Sequence, residues 1–148
     1  MLSSLEQFRN NWSRAEELLK KALDVHPNDP IASNNLAYLM LEHGGNTDVA
    51  LTLAQTARRS LPDSPNVADT LGLAYYQKGV YNSAIDLFEE ALKKQPQNAS
   101  MHYHLGLAYQ KVNRASLAKQ HLEKALELDP KSADADTARK ALQELGRG

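Results

Sequence analysis

Cysteine is absent from the 148 residues, so the chain forms no disulfide and offers no thiolate metal site. No stretch approaches the ~18 consecutive apolar residues of a membrane-spanning helix. The opening segment, MLSSLEQFRNNWSRAEE, has neither the basic start nor the apolar centre of a secretion signal. Acidic and basic residues nearly balance, giving a net charge of −1, and no global field favours nucleic acid or an anionic membrane. Catalytic signatures are missing as well: there is no G-x-S-x-G, phosphate-binding loop or H-E-x-x-H.

What is present is regularity. The pentapeptide LGLAY spans Leu71–Tyr75 and returns 34 residues later at Leu105–Tyr109. A degraded copy, LAYLM, begins 35 residues earlier at Leu36. The six prolines keep the same beat, as Pro27 with Pro30, Pro62 with Pro65, Pro96, and Pro130. Proline cannot donate a helical hydrogen bond and clashes with the preceding turn, so it collects at helix borders. Regular prolines therefore imply regular helix borders.

Between those borders apolar residues recur at spacings of three and four, as one helix face requires. Val67, Leu71, Ala74 and Tyr75 form one such face, and Ala84, Ile85, Phe88, Ala91 and Leu92 the next. Leu105, Ala108 and Tyr109, then Ala118, Leu122, Ala125 and Leu126, repeat the pair. Gly79 and Asn113 fall where a left-handed residue would end the first helix of a pair. Asp29 before Pro30 and Ser64 before Pro65 predict capped helix starts, with Asn98 and Ser132 at the equivalent later points. The unit is a helix, a short turn and a second helix.

This pattern resembles the tetratricopeptide repeat (TPR) family, whose signature is W-x2-L-G-x2-Y, A-x3-F, an alanine and a closing proline. Leu71, Gly72, Tyr75, Ala84, Phe88, Ala91 and Pro96 match it, as do Leu105, Gly106, Tyr109, Ala118, Leu122, Ala125 and Pro130. Ala68 and His102 stand at the tryptophan position. The earlier unit has Leu36, Ala37, Ala50, Ala54, Ala57 and Pro62, with one extra residue in its HGGNT turn. The resemblance implies an all-α, right-handed helix-turn-helix solenoid of about eight helices. Its expected parts are a partial first repeat over 1–29 with its helix at 12–25, and full repeats over 30–64, 65–98 and 99–132. A capping helix and tail over 133–148 would bury Ala138, Ala141, Leu142 and Leu145. A chain that starts inside a repeat is expected to be a piece of a longer protein. Any targeting signal would then lie elsewhere, with the segment in the cytoplasm or the periplasm. NNLAYLMLEHGG and VADTLGLAYYQKG also look like the C-terminal repeats of large bacterial TPR proteins, some of them associated with exopolysaccharide or envelope assembly.

The chain's few chemical candidates read as structural. His102 and His104 are two apart, on different sides of a helix, whereas paired metal ligands want a spacing of three or four. His26, His43 and His121 have no partner at ligand spacing. Glu16–Lys20, Glu17–Lys21, Glu89–Lys93 and Glu90–Lys94 are all ordered for helical ion pairs, which predicts a solvated outer face. Asn11 and Asn98 begin N-x-S tripeptides but sit at helix-border turns, which favours capping over glycosylation. No catalytic residue, metal or cofactor is expected.

What the family resemblance does imply is a concave binding surface lined by the first helix of each repeat. The positions are Ile31, Asn34, Asn35, Tyr38, Leu41 and Glu42, then Asn66, Asp69, Thr70, Leu73, Tyr76 and Gln77, then Ser100, Tyr103, His104, Leu107, Gln110 and Lys111. Leu73 and Leu107 read equally well as packing. Tyrosines offer amphipathic contact area, and asparagines can hydrogen-bond a peptide backbone. Chaperone-binding members hold a C-terminal carboxylate in a clamp of Lys, Asn and Arg. Asn35 fits one clamp position, but Asn34, Tyr38, Asn66 and Thr70 occupy the others, so that cationic clamp is absent. Only Glu42, Asp69 and Lys111 are charged, which predicts binding that changes little with salt.

The expected function is a scaffold that binds a peptide or partner helix in the groove, with no nucleic acid, membrane insertion or catalysis. Alternatives are a regulatory or substrate-presenting arm of a larger enzyme, and a self-associating module that stacks through an apolar face around Trp12, Leu19 and Leu23.

Overall fold

The computed structural model describes residues 4–147, with side-chain surroundings from residue 9 onward. The described residues form eight α-helices and no strand. In order these are α1 (Ser4–Val25), α2 (Pro30–Glu42), α3 (Thr47–Ser60), α4 (Pro65–Gln77), α5 (Tyr81–Lys94), α6 (Ala99–Lys111), α7 (Ala115–Leu128) and α8 (Ala135–Arg147).

Local chemistry sets most borders. Asp29, Ser64 and Asn98 each accept a backbone N–H from the first turn of the following helix, at 2.9, 3.3 and 3.1 Å. Asn98 also donates its side-chain amide to Gln95, so this acceptor-pattern asparagine is occupied as a cap. At the other end of α4, Gly79 takes φ +81°, and the N–H groups of Gly79 and Val80 close back on Tyr76 and Tyr75. Asn113 does the same after α6 with φ +63°. These left-handed closures leave so short a turn that α5 and α7 start without any side-chain cap.

Two borders differ from the sequence reading. Helix α1 runs unbroken from Ser4 rather than from residue 12, because SLEQFRNN holds no glycine or proline to stop it. Ser132 does not cap α8; it closes a turn with Ala135, and Asp134 supplies the first helical carbonyl, to Ala138.

Helices pack in antiparallel neighbours, α2 with α3, α4 with α5 and α6 with α7, and each pair stacks on the next. Among the described residues, α2 meets α4, α4 meets α6 and α6 meets α8, while the backbones of α3, α5 and α7 stay apart. The array therefore curves toward the side of α2, α4, α6 and α8. The core runs along the stack through Val67, Phe88, Met101, Leu105 and Leu122, each almost wholly buried. Alanines fill the close helix crossings, with Ala37, Ala50, Ala54, Ala74, Ala84, Ala91, Ala108 and Ala118 fully buried.

The outer face is solvated, as the charge pattern predicts, but its pairing differs in part. Glu16–Lys20 and Glu17–Lys21 do pair along α1, at 2.6 and 3.0 Å. Glu90 instead takes both its bonds from Arg58 of α3, at 2.9 and 2.7 Å. Lys94 reaches the Asp63 carbonyl, and Glu89 accepts from the Tyr109 hydroxyl. Neighbouring repeats present stronger partners than the same helix does, and tertiary pairing wins.

Candidate partner-binding face

The inner curve brings part of the expected set together. Asn34, Asn35 and Tyr38 of α2, Asn66, Asp69 and Thr70 of α4, and Asn98, Ser100 and Met101 at α6 line one cleft of about 290 Å³. Helices α4 and α6 contribute their N-terminal ends and α2 its middle. Tyr38 is 40% exposed, and Ile31, two turns earlier on the same face, is 65% exposed. Burial and the neighbouring Glu42, to which Tyr38 is hydrogen-bonded, hold the Tyr38 hydroxyl protonated above the ordinary tyrosine range. Asn98 and Met101 were not read as site residues from the sequence. Nothing in the repeat register distinguishes a cap or a core methionine that also reaches a surface.

Other members of the set are diverted. Leu41 is buried in the core, and its carbonyl accepts the Gln77 amide across α2 and α4 at 2.9 Å. Tyr76 is half-buried, edge-on to Tyr81 at 5.5 Å. Tyr103 is buried because α8 covers the last repeat on the same side; it is hydrogen-bonded to Thr137, and burial with nearby Asp134 pushes its hydroxyl up to about 12. Gln110 donates to Glu144 of α8. Glu42 and Lys111 are exposed, while Thr70 is buried on the cleft floor, donating to the Asn66 carbonyl.

His104 is buried rather than presented. Its Nδ1 lies 2.8 Å from Asp69 Oδ1, tying α6 to α4 beneath the cleft. Burial opposes charge on the imidazole, but the Asp69 carboxylate outweighs it and holds His104 above its ordinary value.

On the opposite side, His121 does have a partner. Its Nδ1 lies 3.0 Å from His102 Nδ1, and His102 Nε2 sits 2.8 Å from the Pro96 carbonyl. A carbonyl only accepts, so His102 carries its proton on Nε2 and accepts at Nδ1 from His121. The sequence missed this because residues 102 and 121 belong to different helices. Among the described residues, no group of three or more His, Cys, Asp or Glu is arranged to hold a metal ion, and no helix is long and apolar enough to cross a membrane.

Stacked helical hairpins curving around a polar and aromatic inner face define a class: the repeat solenoid, a protein-interaction scaffold. Family comparison makes the assignment specific. Residues 1–65 and 99–132 each match the tetratricopeptide repeat, and residues 72–113 match a TPR repeat. The chain belongs to the tetratricopeptide repeat family.

Solved structures agree. TTC0263, a thermophilic TPR protein of Thermus thermophilus, superposes with a TM-score of 0.74 at 26% identity, over 95% of this chain and 76% of that one. MamA from Desulfovibrio magneticus RS-1 gives 0.67 at 19% identity, over 99% and 96%. A chain of the APC/C hetero-tetramer Cut9–Hcn1 gives 0.78 at 22% identity, over 95% of this chain and 28% of that one. The last two are likenesses of fold. No curated protein matches the sequence.

Proposed function

We propose that the chain is a non-catalytic interaction module that holds a peptide or partner helix along its concave face. The observation that carries this reading is the cleft formed jointly by α2, α4 and α6, with Tyr38 left 40% exposed beside it. A folded protein usually covers an aromatic ring of that size or uses it. Asparagine side chains from two helices, Asn34 and Asn35 with Asn66, stand where they can bond a backbone. The test is capture of partners from a cell lysate by the wild-type chain and by a Tyr38→Ala/Tyr76→Ala double variant. A variant of unchanged helicity should lose the captured protein; full capture would move the site off this face.

A second reading, self-association, is favoured by α1. Leu18 and Val25 are 57% and 72% exposed there, and Ala22 lies open between them. The apolar surface is thus this stripe, while Trp12, Leu19 and Leu23 are partly buried, Trp12 stacked on His43. Light scattering that shows mass rising with concentration, and reverting with Leu18→Glu, would support it.

A further inference from the structure

The concave face presents an open stripe on α2: Ile31, Asn35, Tyr38 and Glu42 follow at helical spacing, and all four are exposed. Charges converge on this stripe from three places that are distant in sequence. Glu42 ends α2, Asp69 lines the cleft from α4, and Asp134 enters from the loop before α8. Tyr38 and His104 feel all three carboxylates, and Tyr103 feels Glu42 and Asp134. Asp134 also lines a small crevice with Tyr103 and Ser100, and Ser100 borders the larger cleft too, so the two depressions adjoin.

The balance is negative in either state of the buried pair. With His104 protonated, Asp69 is neutralised, and Glu42 and Asp134 outnumber Lys111 of α6; with His104 neutral, Asp69 adds its charge. The N-cap of α6, Asn98, lines this cleft, and a helix N-terminus ordinarily favours an anion. One first-turn N–H there, that of Met101, is already taken by the Asn98 side chain. An anionic partner is therefore disfavoured chiefly by like charge.

We propose that the partner held in this groove is a basic polypeptide segment, with a lysine or arginine laid across Tyr38 and its charged end shared between Glu42 and Asp134. The inference rests on the concave face being the binding site. Long basic side chains suit the stripe because their methylene stems cover Ile31 and the tyrosine ring while the head stays near carboxylate and water. The cleft, at about 290 Å³, is at the small end for a ligand site and fits one or two such side chains. This revises the salt expectation, since Asp134 was invisible to the repeat register: binding should weaken as salt rises.

The test is selection of a random 12-residue peptide library displayed on phage against the immobilised chain. The enriched peptides are then measured against variants of checked helicity. Enrichment in lysine and arginine is expected. Affinity should fall about tenfold or more for Glu42→Gln/Asp134→Asn, and stay unchanged for Glu16→Gln/Glu17→Gln, which removes the same charge from the outer helix. Peptides without basic excess that are lost on Tyr38→Ala would overturn the basic partner and leave the groove reading standing. Basic peptides weakened equally by both charge variants would show a diffuse attraction and overturn the proposal. Peptides indifferent to Tyr38→Ala and to the charge variants, or no enrichment at all, would overturn both.

Discussion

Gly72 faces the Phe88 ring so closely that a Cβ added to it would lie 2.6 Å from Phe88 Cε1. Gly106 repeats the relationship 34 residues later, its added Cβ falling 2.7 Å from Leu122 Cγ. Both contacts join the two helices of one hairpin, and both partners are fully buried. The glycine in LGLAY is a gap shaped for the residue opposite.

Gly72→Leu or Gly106→Leu should destabilise the fold by about 1–3 kcal/mol, the usual range for overpacking a tight core. For a chain of this length that lowers the thermal midpoint by a few degrees per kcal/mol, on the order of 2–4 °C each. Thermal melts followed by circular dichroism would show it. An unchanged midpoint in both variants would remove the helix crossing from the account.

Asp69→Asn should move the His104 titration below the ordinary imidazole value of 6.5, because burial then outweighs the smaller pull of Asp134 and Glu42. In the native chain His104 is held above that value, so the pair contributes its full stability below about 6.5. That contribution is lost as pH rises through the elevated value, when the buried imidazole gives up its proton. NMR of the histidine ring protons reads the shift directly. A His104 that still titrates above 6.5 in Asp69→Asn would show that another group holds its charge.

His121 should behave in the opposite sense. Burial, with His102 adding to it, holds its imidazole below the ordinary value. Its contribution is present above about 6.5 and is lost as pH falls through the lowered value. The geometry permits one extra proton on the pair, at His121 Nε2, but not a second, since both Nδ1 atoms would then donate across 3.0 Å. His121→Gln should therefore melt with less acid sensitivity than the native chain between pH 7 and pH 5. Parallel pH profiles would discard the idea.

Arg58 and Glu90 should couple by about 1 kcal/mol in a double-mutant cycle, the upper end for such bridges, as a part-buried pair in which Arg58 Nη2 donates to both Glu90 oxygens. Glu90 and Lys94, at ideal helical spacing, should couple by nearly nothing because Glu90 is already engaged. Equal coupling in the two cycles would restore the within-helix pairing.

Much of this protein was legible in the chain alone. The 34-residue beat of proline, glycine and LGLAY located the hairpins because helix borders, left-handed closures and caps are decided by a few neighbouring residues. Asp29, Ser64, Asn98, Gly79 and Asn113 act where their chemistry says they should. The family followed from the same register. The site was legible only in part: repeat positions nominate which residues face inward, but not which of them a neighbouring helix then covers.

Tertiary structure decided the rest, for a physical reason. Burial, charge and hydrogen bonding depend on distance in space, and the stacked repeats bring together groups about 35 residues apart as readily as groups four apart. So Glu90 leaves Lys94 for Arg58, His121 meets His102, and His104 withdraws from the surface to Asp69. Helix α8 covers Tyr103, while Tyr38, on the first helix of an earlier repeat, stays open. Asp134 lines the crevice beside Tyr103 from a loop that has no place in the repeat signature. Local residues determined that there would be a curved array of helical hairpins; only the curvature itself determined which side chains its inner face keeps free.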